Sequence, residues 1–206
     1  MIHALRLQNI YIAMKKSELE NQKDLFIAKG VKIDKNVSLL GKCVIGENCV
    51  IKNGTVLRDC YIEEGCVIEN STIEESTLGK NCHIGPYSHL RPNCFLGDNV
   101  KVGSFVEIKN SRIGDGSKVP HLSYVGDAEI GKKVNIGCGV VFANYNGQIK
   151  QKSIVGDEVF IGCNVNIVAP VKIASRTYIC AGTTVTKDTE EGDFVIGRVR
   201  QENKKR

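Results

Sequence analysis

A six-residue repeat runs through most of this chain, from about residue 33 to residue 188. Each unit opens with an aliphatic residue, often continues with Gly, and carries a small or β-branched residue at its fifth position. Six residues suffice for one short strand and one turn, and three such units close a triangular coil of roughly 18 residues. The opening positions include Ile33, Leu39, Ile45, Ile51, Leu57, Ile84, Leu90, Leu96, Val102 and Ile108. The pattern therefore predicts an all-β solenoid.

The repeat also predicts how this solenoid forms its core. One coil cannot bury its own aliphatic side chains, but a stack of coils buries a continuous core. A helix is excluded because a spacing of six would spread the aliphatic residues around its circumference. Five of the nine cysteines stand at the small fifth position, where they are expected to pack as buried apolar side chains. These are Cys43, Cys49, Cys66, Cys82 and Cys94.

Three departures from the period divide the chain. Residues 1–30 lack the repeat and have the apolar spacing of a short amphipathic helix, which is expected to cap the open end of the solenoid. The β-helix itself is expected over residues 31–188, followed by a C-terminal extension over residues 189–206. Residues 144–152 read NYNGQIKQK and are predicted to form an extruded polar loop. Loops carried on rigid scaffolds commonly hold functional residues.

Composition narrows the possible partners and location. The net charge is +5 and no basic stripe alternates with aromatic residues, so nucleic-acid binding is not expected. No stretch approaches the roughly 20 apolar residues of a membrane span. No signal peptide is recognisable, so a cytoplasmic location is expected. The nine cysteines are odd in number and include no C-x-x-C pair, which fits unpaired thiols in a reducing compartment.

Histidines are the candidates for metal binding or proton transfer. His83 and His89 stand six residues apart at positions expected to face solvent, and no third ligand accompanies them, so no metal site is predicted. His121 lies in the segment KVPHLSYVGDAEIG. An imidazole can accept a proton at neutral pH, but an isolated histidine is more often structural or exposed. The residues alone therefore leave the role of His121 open.

A series of motifs between residues 84 and 198 resembles one known family. In order along the chain they read IGPYSHLRP, VGSFVEIKNSRIG, HLSYVGDAEIG, VNIGCGVVFANYNG, VGDEVFIG, AGTTVTKD and VIGRVRQ. They are similar to the acetyltransferase domain of the bacterial bifunctional N-acetylglucosamine-1-phosphate uridyltransferase and glucosamine-1-phosphate acetyltransferase. The resemblance implies that the solenoid is a left-handed parallel β-helix, a hand that does not follow from the residue pattern.

The resemblance also implies roles for individual residues. His121 matches a general base that deprotonates the sugar amine, and Glu107 matches a carboxylate that orients its imidazole. The residues that match the amino-sugar phosphate site are Arg91, Lys109, Tyr124, Asn135 and Lys150. The residues that match the acetyl-CoA site are Cys138, Asn144, Tyr145, Cys163, Ala181 and Arg198. Cys163 stands where the family usually has serine, and no metal is implied. Family members are homotrimers with the cofactor site between subunits.

Two alternatives to glucosamine-1-phosphate acetylation remain open at this point. The acceptor could be another amino sugar, since the motifs fix the reaction more tightly than the sugar. The chain could also be a non-catalytic trimeric scaffold for a separate nucleotidyltransferase. Nothing in the sequence resembles the family's nucleotidyltransferase domain, so uridyl transfer is not expected, although a separate uridyltransferase subunit could supply it.

Overall fold

A computed structural model describes residues 11–12 and 24–204, and in these residues the chain is built of short strands and turns without a helix. The strands stack into three sheets of 11, 9 and 9 strands. Neighbouring strands in each sheet are parallel and three places apart along the chain, except at the two ends of the first sheet, where they are two places apart. The three sheets are called face 1, face 2 and face 3, in the order in which each coil visits them.

The bounds of the strands show how the chain passes from face to face. Face 1 consists of β1 (Tyr11–Ile12), β3 (Lys32–Ile33), β6 (Val50–Ile51), β9 (Val67–Ile68), β12 (His83–Ile84), β15 (Lys101–Ser104), β18 (Lys118–His121), β21 (Asn135–Ile136), β24 (Phe160–Ile161), β27 (Tyr178–Ile179) and β29 (Phe194–Val195). Face 2 consists of β4 (Ser38–Leu40), β7 (Val56–Arg58), β10 (Thr72–Glu74), β13 (His89–Leu90), β16 (Glu107–Lys109), β19 (Tyr124–Gly126), β22 (Val141–Ala143), β25 (Asn166–Val168) and β28 (Thr184–Val185). Face 3 consists of β2 (Leu25–Ile27), β5 (Cys43–Ile45), β8 (Tyr61–Ile62), β11 (Thr77–Leu78), β14 (Phe95–Leu96), β17 (Arg112–Ile113), β20 (Ala128–Ile130), β23 (Ser153–Val155) and β26 (Lys172–Ile173).

The aliphatic residue of each repeat points into the solenoid. Ile33, Ile51 and Ile68 are paired in register and have no exposed surface. Residues at the small position are also buried, and the thiol of Cys66 donates to the carbonyl of Gly79 at 3.1 Å. Burial of this kind removes about 25 cal/mol of unfavourable hydration per Å² of apolar surface. The core is therefore one continuous column that runs the length of the stack.

The corner between face 1 and face 2 has a left-handed backbone conformation in each coil. Most coils place Asn or Gly there, the residues that tolerate positive φ at low cost. Three consecutive coils instead have Tyr87, Phe105 and Leu122, at φ of 60°, 58° and 43°. The rings of the first two are stacked with centroids 5.5 Å apart. These three exposed residues are called the apolar ridge.

The structure confirms the all-β, left-handed parallel β-helix of hexapeptide repeats and its extruded loop. The loop leaves after β22, yet β23 still pairs with β20, so the stack continues unbroken behind it. The short N-terminal helix expected in residues 1–30 falls mainly on residues outside the described part. Within that range, Leu25–Ile27 is already a strand of face 3, because Ile27 lies one six-residue step before Ile33. In the expected extension, Phe194–Val195 adds a last strand to face 1.

Candidate active site

Four of the predicted site residues occupy equivalent positions in consecutive coils. On face 1, four residues of consecutive coils are paired in register: Lys118, Asn135, Phe160 and Tyr178. Each of the four predicted site residues comes three positions after one of them. The four residues are His121, Cys138, Cys163 and Ala181, which are called the His121 column. Because neighbouring parallel strands lie about 4.8 Å apart, the column is about 14 Å long. It runs along the corner between faces 1 and 2 and meets the apolar ridge only at Leu122.

The side chains of this column face outward. His121, Cys163 and Ala181 are exposed and Cys138 is half-buried. The imidazole of His121 makes no hydrogen bond to another residue of the described part. At the far end, the guanidinium of Arg198 donates to the carbonyl of Ala181 at 2.5 Å. The structure therefore brings five predicted residues into one solvent-facing line.

Face 2 carries the second group of predicted residues. Arg91 donates to the carboxylate of Glu107 at 3.0 Å, and Glu107 is in register with Tyr124 of the next coil. Within the described chain, Glu107 thus has Arg91 as its hydrogen-bond partner, and no hydrogen bond joins it to His121. The orienting role that the resemblance implies for Glu107 stays a prediction.

A pair of lysines lies at the far side of face 2. Lys109 ends β16 and Lys150 comes from the extruded loop. The nearby ammonium group of Lys109 lowers the pKa of Lys150, and Asp127 and Tyr124 oppose this effect only in part. Two like charges held together without a matching anion are unfavourable unless a ligand supplies one. This geometry fits a phosphate, for which lysine is a suitable point-charge partner.

A buried carboxylate organises the base of the loop. Asp127 is only 8% exposed and accepts hydrogen bonds from the side-chain amides of Asn110, at 2.6 Å, and Asn144, at 2.5 Å. Its backbone carbonyl accepts from the amide of Ser153 at 3.2 Å. One residue thus holds both ends of the loop. Its position within YVGDAE gave no signal for this role, because the contacts join three separate coils.

Asn144 and Tyr145 differ in the exposure and the hydrogen bonds of their side chains. The amide nitrogen of Asn144 is buried and donates to Asp127 and, at 3.4 Å, to the hydroxyl of Tyr124. It anchors the loop, whereas the resemblance implies a contact with the cofactor. Tyr145 is exposed, and its hydroxyl donates to the carbonyl of Gly147 at 2.7 Å.

Gly126 explains how the Tyr124 ring is placed. A Cβ added at Gly126 would lie 2.6 Å from Cζ of Tyr124 and 2.7 Å from Nδ2 of Asn144. Separations below 3.0 Å are sterically excluded. Glycine is therefore required for the phenol to fold over the backbone and meet the loop.

Asn135 is the predicted substrate residue that lies apart from the others. It is half-buried on face 1, in register with Lys118 and Phe160, whereas the lysine pair belongs to face 2 and the loop. Within the described part of the chain, no group of three or more His, Cys, Asp or Glu side chains is arranged to hold a metal ion. No helix among those residues is long and apolar enough to cross a membrane.

Comparison with known proteins supports the assignment of the fold. Residues 8–108 match the family described as EIF2B subunit epsilon LbH domain, and residues 152–187 match the family of bacterial transferase hexapeptide repeats. A crystal structure of a UDP-N-acetylglucosamine acyltransferase is similar over 81% of this chain and 66% of its own, with a TM-score of 0.52 and 24% identity. These matches agree with the parallel solenoid of hexapeptide repeats seen in the structure.

Two relatives that match most of the chain share one name. The chain is 47% identical over 181 residues to the bifunctional protein GlmU of Listeria monocytogenes and 44% identical over 182 residues to that of Clostridium kluyveri. Each match covers 88% of this chain and 40% of the relative. The chain thus spans about two fifths of the length of these relatives.

Proposed function

We propose that this chain is an acetyl-CoA-dependent N-acetyltransferase whose acceptor is glucosamine 1-phosphate. The observation that carries the proposal is the arrangement of an exposed imidazole and a cation pair on opposite sides of face 2. The strand Glu107–Lys109 spans this face, and its end residues are about 7 Å apart at 3.3 Å per residue. A sugar ring with an amine at one side and a phosphate at the other suits this separation.

In this proposal His121 acts as the general base. The acceptor amine attacks the carbonyl carbon of the acetyl thioester, and the imidazole of His121 takes the proton that the amine loses. The carbon–sulfur bond then breaks, and coenzyme A leaves as a free thiol. Arg91, Lys109 and Lys150 hold the acceptor phosphate by charge, so the amine is fixed near the base.

The His121 column is suited to an acyl-CoA donor. Beneath the column the coils stack closely, because a Cβ at Gly137 or Gly162 would meet the backbone of the next coil, so the outward residues form a regular line. A narrow, extended thioester arm can lie along such a line, with its carbonyl beside His121. Arg198 at the far end offers a guanidinium to the phosphates of the donor.

Release of free thiol tests this activity. Purified protein with acetyl-CoA is expected to release thiol when glucosamine 1-phosphate is added. It should release far less with glucosamine, which lacks the phosphate. His121→Ala is expected to lower kcat by about 10²–10⁴-fold, the usual contribution of a general base. His83→Ala is the matched control, because His83 is an exposed histidine on the same face.

The alternatives are distinguished by the same assay. Turnover with a different aminated sugar and none with glucosamine 1-phosphate would reassign the acceptor. If folded protein turned over no amino sugar, the scaffold interpretation would remain.

The nine free cysteines of the chain favour a reducing compartment, so we place the proposed enzyme in the cytoplasm.

We also propose that the active form is a homotrimer. The apolar ridge supports this, because Tyr87, Phe105 and Leu122 are 56%, 63% and 59% exposed. Each also adopts a left-handed backbone conformation, which costs an ordinary residue roughly 1–2 kcal/mol. Exposed apolar residues in a strained conformation need a compensating contact, and a second copy packed beside the His121 column would provide it while completing the donor site.

A further inference from the structure

Two of the nine cysteines differ from the others in what surrounds them. Seven are buried, and six of these belong to the hydrophobic core. Burial raises the pKa of the Cys60 thiol to about 12, which keeps it protonated and unreactive. Cys138 is half-buried and Cys163 is exposed, and both lie on the outer corner between faces 1 and 2. Only these two thiols are positioned to react with a molecule in solution.

These two cysteines stand opposite each other in consecutive coils. Ile136 is paired with Ile161, and each cysteine follows its paired isoleucine by two positions. The amide of Asn164 donates to the carbonyl of Cys138 at 2.8 Å, so the pairing continues through the corner. Neighbouring parallel strands lie about 4.8 Å apart, within the 4.4–6.8 Å range of Cα separations in disulfides.

The two segments are also in direct backbone contact. A Cβ added at Gly137 would lie 2.7 Å from the backbone nitrogen of Cys163 and 2.7 Å from the carbonyl carbon of Gly162. No side chain therefore separates the coils at this point. Gly139 follows Cys138 in a left-handed conformation, with φ of 74°, and glycine gives the corner freedom to adjust when the two sulfur atoms approach.

We infer that Cys138 and Cys163 form a thiol pair that reacts with small-molecule disulfides and closes into a disulfide across two coils. The exposed Cys163 thiolate attacks one sulfur of a disulfide RSSR, which forms a mixed disulfide and releases RS⁻. The Cys138 thiolate then attacks the Cys163 sulfur, which forms the internal S–S bond and releases a second RS⁻. The two protons lost by the cysteines convert the leaving groups into two RSH molecules.

This reaction would modify the proposed donor site directly. Both cysteines belong to the His121 column, so a bridge between them occupies the corner where the thioester arm is proposed to lie. Under the proposed function, oxidation therefore blocks acetyl transfer and reduction restores it. The chemistry of the pair itself does not depend on that function, because it requires only two accessible thiols in register.

The experiment treats the full chain with oxidised glutathione under native conditions and follows intact mass and peptide maps. The wild type is expected to lose two hydrogen atoms and to yield a peptide that joins Cys138 to Cys163. Cys138→Ser and Cys163→Ser are each expected to stop at a single glutathione adduct. Cys94→Ser is the matched control and should behave as the wild type, since Ser76 and Ser111 occupy the equivalent positions in the adjacent coils.

Two outcomes would overturn the inference. One is a wild type that accumulates glutathione on both cysteines without an internal bond, which would show that the sulfurs cannot meet. The other is a wild type with no accessible thiol before treatment. Circular dichroism of each variant identifies any that fail to fold. Thiol release measured before and after oxidation reports on the proposed function separately from the mass result.

Discussion

Replacing Phe105 with asparagine has two expected effects, one on the backbone strain of the apolar ridge and one on the proposed contact of the ridge with a second copy. Asn is found at the equivalent corner position in other coils, including Asn70, and tolerates the left-handed backbone. The substitution should therefore relieve roughly 1–2 kcal/mol of backbone strain within one solenoid. A single copy of Phe105→Asn is expected to fold as well as the wild type or better.

The same change should weaken assembly. Phe105 is 63% exposed in the single chain, so about 125 Å² of a ring of roughly 200 Å² remains for a partner to cover. At about 25 cal/mol per Å² this is about 3 kcal/mol for each interface that buries the ring, which corresponds to an association about 150-fold weaker. Sedimentation of a concentration series would measure the shift of the midpoint between single and assembled chains.

Glu75→Asn provides the control, because Glu75 has φ of 42° at the opposite corner of face 2 and no apolar ring. It should relieve comparable strain without altering assembly. If Phe105→Asn assembled as tightly as the wild type, the ridge would not be an interface between copies. If it destabilised the isolated solenoid while Glu75→Asn did not, the assignment of strain to this corner would be incorrect.

Three further results are expected around the lysine pair and the loop. Asp127→Asn removes charge-assisted hydrogen bonds worth about 1.5–3 kcal/mol, so hydrogen exchange in the loop should accelerate, and unchanged exchange would contradict the anchoring role. Gly126→Ala places a methyl carbon 2.7 Å from the amide of Asn144, and a loss of about 1–3 kcal/mol in urea unfolding is expected. Because Lys109 lowers the pKa of Lys150, Lys150 loses its positive charge at a lower pH than an ordinary lysine. KM for the phosphorylated acceptor should therefore increase with pH. Lys109→Met should move that increase to higher pH. Repulsion between the two lysines costs stability while both are charged, so this cost falls as pH rises from the lowered pKa of folded Lys150 towards the pKa of Lys150 in the unfolded chain.

The fold was predictable because the residues of each repeat determine the local geometry of that repeat. An aliphatic residue every six positions, as from Ile33 to Ile51, specifies strand length, turn and inward face within a few residues. The strand at Leu25–Ile27 was harder to recognise, since its neighbours lack the glycine of the pattern. The six-residue period does not indicate the last strand, Phe194–Val195, because its register with Tyr178 depends on the path of the preceding turn.

The sequence predicted which residues belong to the candidate site better than it predicted which of them are close together. The motifs marked His121, Lys109 and Lys150, but sequence spacing gave no indication that the two ammonium groups meet across 41 positions of chain. The role of Asp127 could not be inferred, because its partners come from other coils. A buried carboxylate that binds two amides is recognisable only when three-dimensional contacts are known.

The extruded loop makes this solenoid tolerant of insertion at one point. Since β23 pairs with β20 behind the loop, the stack is continuous there and does not depend on the conformation of the loop. Doubling the length of a flexible loop adds only about 0.6 kcal/mol of closure entropy. Chains of this architecture can therefore diversify the residues that approach an acceptor while the scaffold beneath stays the same.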